Sequence, residues 1–116
     1  MTTRQERVSE LLKREVSDIL RREVKDPRLG FVTVTDAEVS KDLRHARIYV
    51  SVYGDEKETE ESLAAMKSAA GYVRGEFGKR VVLKVLPEIV FELDRSVEHG
   101  TRIFELLQQV KRDDEA

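Results

Sequence analysis

Residues 62–80 read SLAAMKSAAGYVRGEFGKR, and the interpretation of this stretch decides the fold. Leu63, Met66, Ala70, Val73 and Phe77 recur at three- and four-residue steps, the spacing of one helix face. A second row, Ala64, Ser68, Gly71, Gly75 and Gly78, keeps the same step and lies roughly 140° round the helix. Each glycine in a helix interior costs about 1 kcal/mol relative to alanine, so these three require an account. Two accounts are open. The small residues let a neighbouring helix pack closely, or Gly71 ends one helix and starts another. Alternatively the bare backbone admits a polyanion, because Lys67 and Arg74 flank the row on one side and Lys79 on the other.

The chain around this stretch is 116 residues long, a length for one domain with a modest core. Charged residues make up 38% and hydrophobic residues 40%, a balance that folds rather than staying disordered. There is no cysteine, which excludes disulfides, thiolate metal sites and cysteine nucleophiles. No apolar run approaches a membrane span of about 20 residues, and the first residues lack a signal-peptide core, so a cytoplasmic location is expected. The net charge of −2 argues against a uniformly basic nucleic-acid binder. Its distribution allows a local basic face: residues 62–91 carry five Lys/Arg and two Asp/Glu, whereas residues 55–61 carry one Lys and five acids.

Upstream, Thr3 and Glu6 have capping-box spacing, and Val8, Leu11, Leu12, Val16, Ile19, Leu20 and Val24 form one apolar stripe of a first helix. Arg7, Arg14 and Arg21 recur on the far side. Glu10 and Asp18 lie four residues from Arg14, and Asp18 four from Arg22, so mutual pairing on a solvated face is expected. Asp26-Pro27 stops the helix, since the residue before proline is pushed out of the helical region, and Gly30 allows a turn. Residues 31–35 are β-branched and aromatic and continue to Val39, and Ser40-Lys41-Asp42 makes a turn. Ala46, Ile48, Val50 and Val52 then alternate with Arg47, Tyr49, Ser51 and Tyr53, which gives an antiparallel hairpin ended by Gly54. Arg47 and Tyr49 on the outer face invite base stacking, or cover by the last helix.

Asp55 or Thr59 caps the glycine-rich helix, and the acids of residues 55–61 complement its dipole rather than bind a metal. Leu83 to Pro87 is a connection, Glu88 to Asp94 a third strand, and Ser96 to Lys111 a terminal helix with Ile103, Leu106, Leu107 and Val110 apolar. The order α-β-β-α-(break)-α-β-α with segregated helices is α+β, a single domain over residues 1–111 followed by a frayed acidic tail at 112–116. His45 and His99 sit in no nucleophile–base or metal motif, and Gly71, Gly75 and Gly78 have neither dinucleotide nor P-loop spacing, so an enzyme is not expected.

Four strings carry a more specific signal: Asp26-Pro27-Arg28-Leu29-Gly30 entering a Thr-rich strand, Ser40-Lys41-Asp42-Leu43 with Ala46 and Tyr49, Ala69-Ala70-Gly71-Tyr72-Val73-Arg74, and Pro87-Glu88-Ile89 with Phe91, Asp94 and Ser96. In this order, from about Arg4 to Leu107, the chain closely resembles the bacterial ribosome-binding factor A family. The resemblance implies a type II KH-like fold, a three-stranded mixed sheet with helices on one face. It implies an Ala-x-Gly kink between two helices, falling here on Ala69, Ala70 and Gly71. It also implies a non-enzymatic factor, monomeric when free and without cofactor or metal. Such a factor binds the immature small (30S) ribosomal subunit and assists late maturation and 5′-end processing of its 16S rRNA, most of all in the cold.

A helix broken at Gly71 would expose N–H groups to a phosphate, as KH modules do. Lys67, Ala69, Gly71, Arg74, Lys79 and Arg80 are therefore the candidate RNA-binding residues. A protein-binding adaptor is the competing reading, with acidic segments contacting basic ribosomal proteins or an assembly GTPase.

Overall fold

The structure, a computed structural model, describes residues 2–94, arranged as α1 (Thr3–Arg22), β1 (Phe31–Val39), β2 (His45–Tyr53), α2 (Glu56–Arg80) and β3 (Glu88–Leu93). The terminal helix expected over 96–111, the acidic tail and His99 lie outside the described residues. Helix α1 starts one residue earlier than the Thr3/Glu6 spacing indicates. Thr2 is the N-cap: its Oγ1 accepts from Gln5 N at 3.2 Å, and Gln5 Oε1 accepts from Thr2 N at 3.1 Å. A tertiary bond selects this register, because Gln5 Nε2 also donates to the β1 carbonyl of Val39 at 2.9 Å in a buried position.

The three strands lie in the order β1-β2-β3, with β1 antiparallel and β3 parallel to β2. The mixed sheet expected from the resemblance is therefore present. A bulge between Val34 and Asp36 resets the alternation of β1, so that Val32 and Val34 share the core face with Ala37 and Val39. The turn between β1 and β2 closes through Leu43 N donating to Ser40 O at 2.9 Å, and Leu43 adopts φ 62°. This left-handed conformation is costly for a leucine, and it turns a partly buried side chain back onto the core. Gly54, at φ 143°, takes a backbone conformation that a side chain would strain.

Both helices cover one sheet face. Val8, Leu12, Val16, Ile19 and Leu20 of α1 and Met66, Val73 and Phe77 of α2 bury against Ile48, Val50, Ile89 and Phe91. The expected hydrophobic rows of both helices are thus their buried faces. Helix α2 is a single helix of 25 residues capped by Asp55, whose side chain accepts from Glu58 N at 2.8 Å. The break expected at Gly71 is absent. Core residues on both sides of Gly71 pack on the same sheet, and that shared burial outweighs the about 1 kcal/mol glycine cost. No helix among the described residues is long and apolar enough to cross a membrane.

Two polar contacts fix the helices. Buried Ser62 accepts from Gly30 N at 2.9 Å and reaches Arg28 O at 3.3 Å, which pins the 26–30 loop to α2. At the other end of α2, Arg80 spans to α1, with Nη1 2.7 Å from Asp18 Oδ2 and 3.2 Å from Glu15 Oε2. Asp18 also pairs with Arg22 at 2.8 Å and Arg21 at 3.2 Å. The Arg14–Asp18 and Arg14–Glu10 pairs expected from spacing do not form: Arg14 takes Glu15 and Glu10 takes Lys13. The Arg80 guanidinium, foremost by hydrogen bonding, holds the Asp18 carboxyl below the usual carboxylate range.

Ser62→Ala removes the acceptor of the Gly30 N–H, and urea unfolding should show a loss of about 0.5–1.5 kcal/mol. The depressed Asp18 group stabilises the fold above its unfolded value near 4, and this contribution disappears as pH falls through the folded value. Arg80→Gln should therefore lower the thermal midpoint at neutral pH, and the gap to the unmodified protein should narrow on acidification toward about pH 2. A gap that widens on acidification would contradict this coupling.

Candidate nucleic-acid interface

The small-residue row of α2 lies opposite its buried face. Ala64, Ser68, Gly71 and Gly75 are all exposed. A Cβ built on Gly71 or Gly75 meets no atom within 4 Å among the described residues, so none of these packs closely against the two glycines. Gly78 differs. A Cβ there would fall 2.6 Å from Leu86 Cδ1, so this glycine admits the connection between α2 and β3. The row thus divides into an open strip and one packing position.

Because α2 is unbroken, the backbone N–H groups around Gly71 belong to the helix ladder. They do not form the exposed N-terminus that a kink would have supplied. A phosphate approaching the strip finds a low, side-chain-free surface and draws its attraction from the flanking cations. Lys67 is exposed and makes no ion pair among the described residues. Arg74 donates through Nε to Pro87 O at 3.1 Å and through Nη2 to Leu86 O at 3.0 Å; these carbonyl bonds orient it and leave its charge uncompensated.

The remaining candidates are placed differently. Lys79 pairs with Glu76 at 3.0 Å, and that carboxylate raises the Lys79 ammonium above the usual lysine range. Arg80 faces α1, where Asp18, Glu15 and Glu23 surround it. Ala69 and Ala70 are half-buried against the core. Lys67, Gly71 and Arg74 therefore come together on the open face, while Lys79 is compensated and Arg80 serves helix packing.

Two residues join the strip that spacing did not indicate. Arg28, held by Asp26 at 2.7 Å, reaches Ser68 Oγ at 3.5 Å from the 26–30 loop, a contact across 40 positions that no local pattern encodes. Tyr72 is half exposed beside Gly71 and supplies a ring at the strip's edge.

Among the described residues, the second open surface is the sheet face turned away from the helices. Arg47 pairs there with Glu92 at 3.2 Å, and Tyr49 donates to Glu38 at 3.2 Å. Exposed His45 lies 3.8 Å from Glu88. Phe31 and Tyr53, opposite one another in register, are 75% and 83% exposed. Carboxylates thus engage both residues considered for base stacking, and among these side chains Glu38, Glu88 and Glu92 outnumber Arg47.

A mixed three-stranded sheet with its helices on one face is the architecture of a small KH-like α+β domain. The family model described as Ribosome-binding factor A matches residues 4–107, and the chain belongs to that family. A ribosome-binding factor A of Halothermothrix orenii is 57% identical over 113 residues, covering 97% of this chain and 93% of the relative. One from Desulfitobacterium hafniense is 54% identical over 112 residues, covering 97% and 90%. The crystal structure of the Thermus thermophilus factor superposes with a TM-score of 0.70 at 27% identity, over 79% of this chain and 98% of that one. A homology model of the Thermus thermophilus factor, fitted into a cryo-EM map of a 30S complex, superposes at 0.64 with 29% identity, over 75% and 91%.

Alanine at Gly71 or Gly75 enters open space within a helix, so each substitution should stabilise the protein by up to about 1 kcal/mol in urea unfolding. Gly78→Ala must displace Leu86 and should show a smaller gain or a loss.

Proposed function

We propose that this chain binds the immature small ribosomal subunit and assists its late maturation, including 5′-end processing of 16S rRNA, with its largest contribution at low temperature. It acts in the cytoplasm by binding, not by catalysis. Family membership supports this reading, together with the Thermus thermophilus relative fitted into a 30S complex. The observation that carries the RNA contact is the open α2 strip, with Gly71 bare and Lys67 and Arg74 beside it. A sugar–phosphate backbone can lie close to such a strip, and contacts of this kind position a protein without reading sequence. Specificity then comes from the shape of the subunit.

The acidic open sheet face favours a second contact of the same protein, with a basic ribosomal protein or an assembly GTPase. Glu38, Glu88 and Glu92 lie along that face toward its His45 end, and exposed Phe31 and Tyr53 lie at the other end. The two contacts use opposite surfaces and are compatible.

Lys67→Glu should weaken co-sedimentation with immature small subunits and reduce the salt slope of binding by about 1, while leaving stability unchanged. Arg80→Gln should lower stability and leave the slope intact. An unchanged slope for Lys67→Glu would remove the strip from the interface.

A further inference from the structure

Three segments distant in sequence meet at one end of the molecule: the first turn of α1, the β1–β2 turn and the α2–β3 connection. They enclose a cleft of about 230 Å³. Arg4, Lys41 and Lys84 line it, one from each segment. None of the three makes an ion pair among the described residues. Elsewhere many cations are compensated: Arg21, Arg22 and Arg80 share Asp18, Arg47 takes Glu92 and Lys79 takes Glu76. Like charges repel when gathered, so three uncompensated cations around one concavity favour an anion between them.

We propose that this cleft is a second RNA-contacting site, which takes one phosphodiester of an unpaired 16S rRNA segment between Arg4, Lys41 and Lys84. The proposal deepens the reading of the α2 strip and rests on it for the identity of the RNA.

Size and lining define the ligand. The cleft is smaller than the roughly 300–1,000 Å³ of sites that engulf a whole small molecule, so it accepts a phosphate with part of its sugar. Apolar Val8, Leu43, Leu83 and Val85 also line it and offer contact to a ribose. Asp42 is the one acid in the lining. Its Oδ1 accepts from Ser40 Oγ at 2.6 Å and from Arg44 N at 3.1 Å, so this carboxylate is engaged in the turn, and the cations outnumber it.

Continuity with the strip favours RNA over an acidic peptide. Arg74, on the strip's edge, bonds to the carbonyls of Leu86 and Pro87 and so ties the segment carrying Lys84 to the exposed face of α2. On this proposal one strand follows the strip past Arg74 to the cleft. The acidic sheet face, the other broad open surface among the described residues, directs the same strand away.

The test uses the full chain and immature small subunits. A benzophenone photoprobe replaces Val85, an exposed residue of the cleft wall, and a second protein carries it at Lys67. The expected result is 16S rRNA adducts from both positions. Adducts to a ribosomal protein from position 85, or none there while position 67 labels rRNA, would overturn the cleft site alone. In parallel, the exposed pair Lys41→Glu/Lys84→Glu should weaken binding and lower the salt slope by about 1 for each phosphate that the cleft no longer neutralises. If Lys67→Glu weakens binding and the pair leaves affinity and slope unchanged, the cleft fails and the strip stands. If the pair weakens binding and Lys67→Glu does not, the strip fails and the cleft stands. Full binding by both variants sinks both sites.

Discussion

The return from β2 to a parallel β3 constrains everything else in this domain. A parallel pair cannot be joined by a tight turn, so the chain must travel back along the sheet before β3 begins. The nine residues of β2 extend about 30 Å at roughly 3.3 Å each. The 25 residues of α2 cover about 37 Å at 1.5 Å each. One unbroken helix therefore makes the whole return. It buries Ser62, Ala65, Met66, Val73 and Phe77 along its length and carries its glycines as a tolerated local cost.

The interface follows from that geometry. A helix laid flat across a sheet keeps one face dry and one face wet, so Ala64, Ser68, Gly71 and Gly75, opposite Met66 and Phe77, are open among the described residues. Internal pairing then decides which cations are available on the surface. Arg80 is drawn into the α1 acids and Lys79 into Glu76, while Arg74 is aimed by two carbonyls and Lys67 stays in water. Acidic pairs cover the far side of the sheet. A chain with net charge −2 thereby presents a basic helix face and a basic end, which total charge does not reveal.

Periodicity shows where the elements lie because burial imposes it directly. The α1 stripe, the alternation of β2 and the apolar row of α2 all match core positions. Capping chemistry is also local, and Asp55 fills the role its position indicates. Three features were not legible. The α1 cap moved to Thr2 because Gln5 is bound by Val39 across the fold. Asp18 keeps the expected Arg22 but takes Arg80 from α2 rather than Arg14, which pairs with Glu15. The Gly71 break vanished because both halves of the helix share one sheet.

By itself, the sequence determined the hairpin, both helices, the third strand and the family, since each rests on residues a few positions apart or on motifs in fixed order. Only the tertiary structure decided how the glycines divide between an open strip and a packing contact, and which cations keep their charge for a partner. The reason is physical. A side chain's available charge and clearance depend on the groups that folding brings beside it, and here those groups lie on other elements, from Arg28 over Ser68 to Arg80 against Asp18.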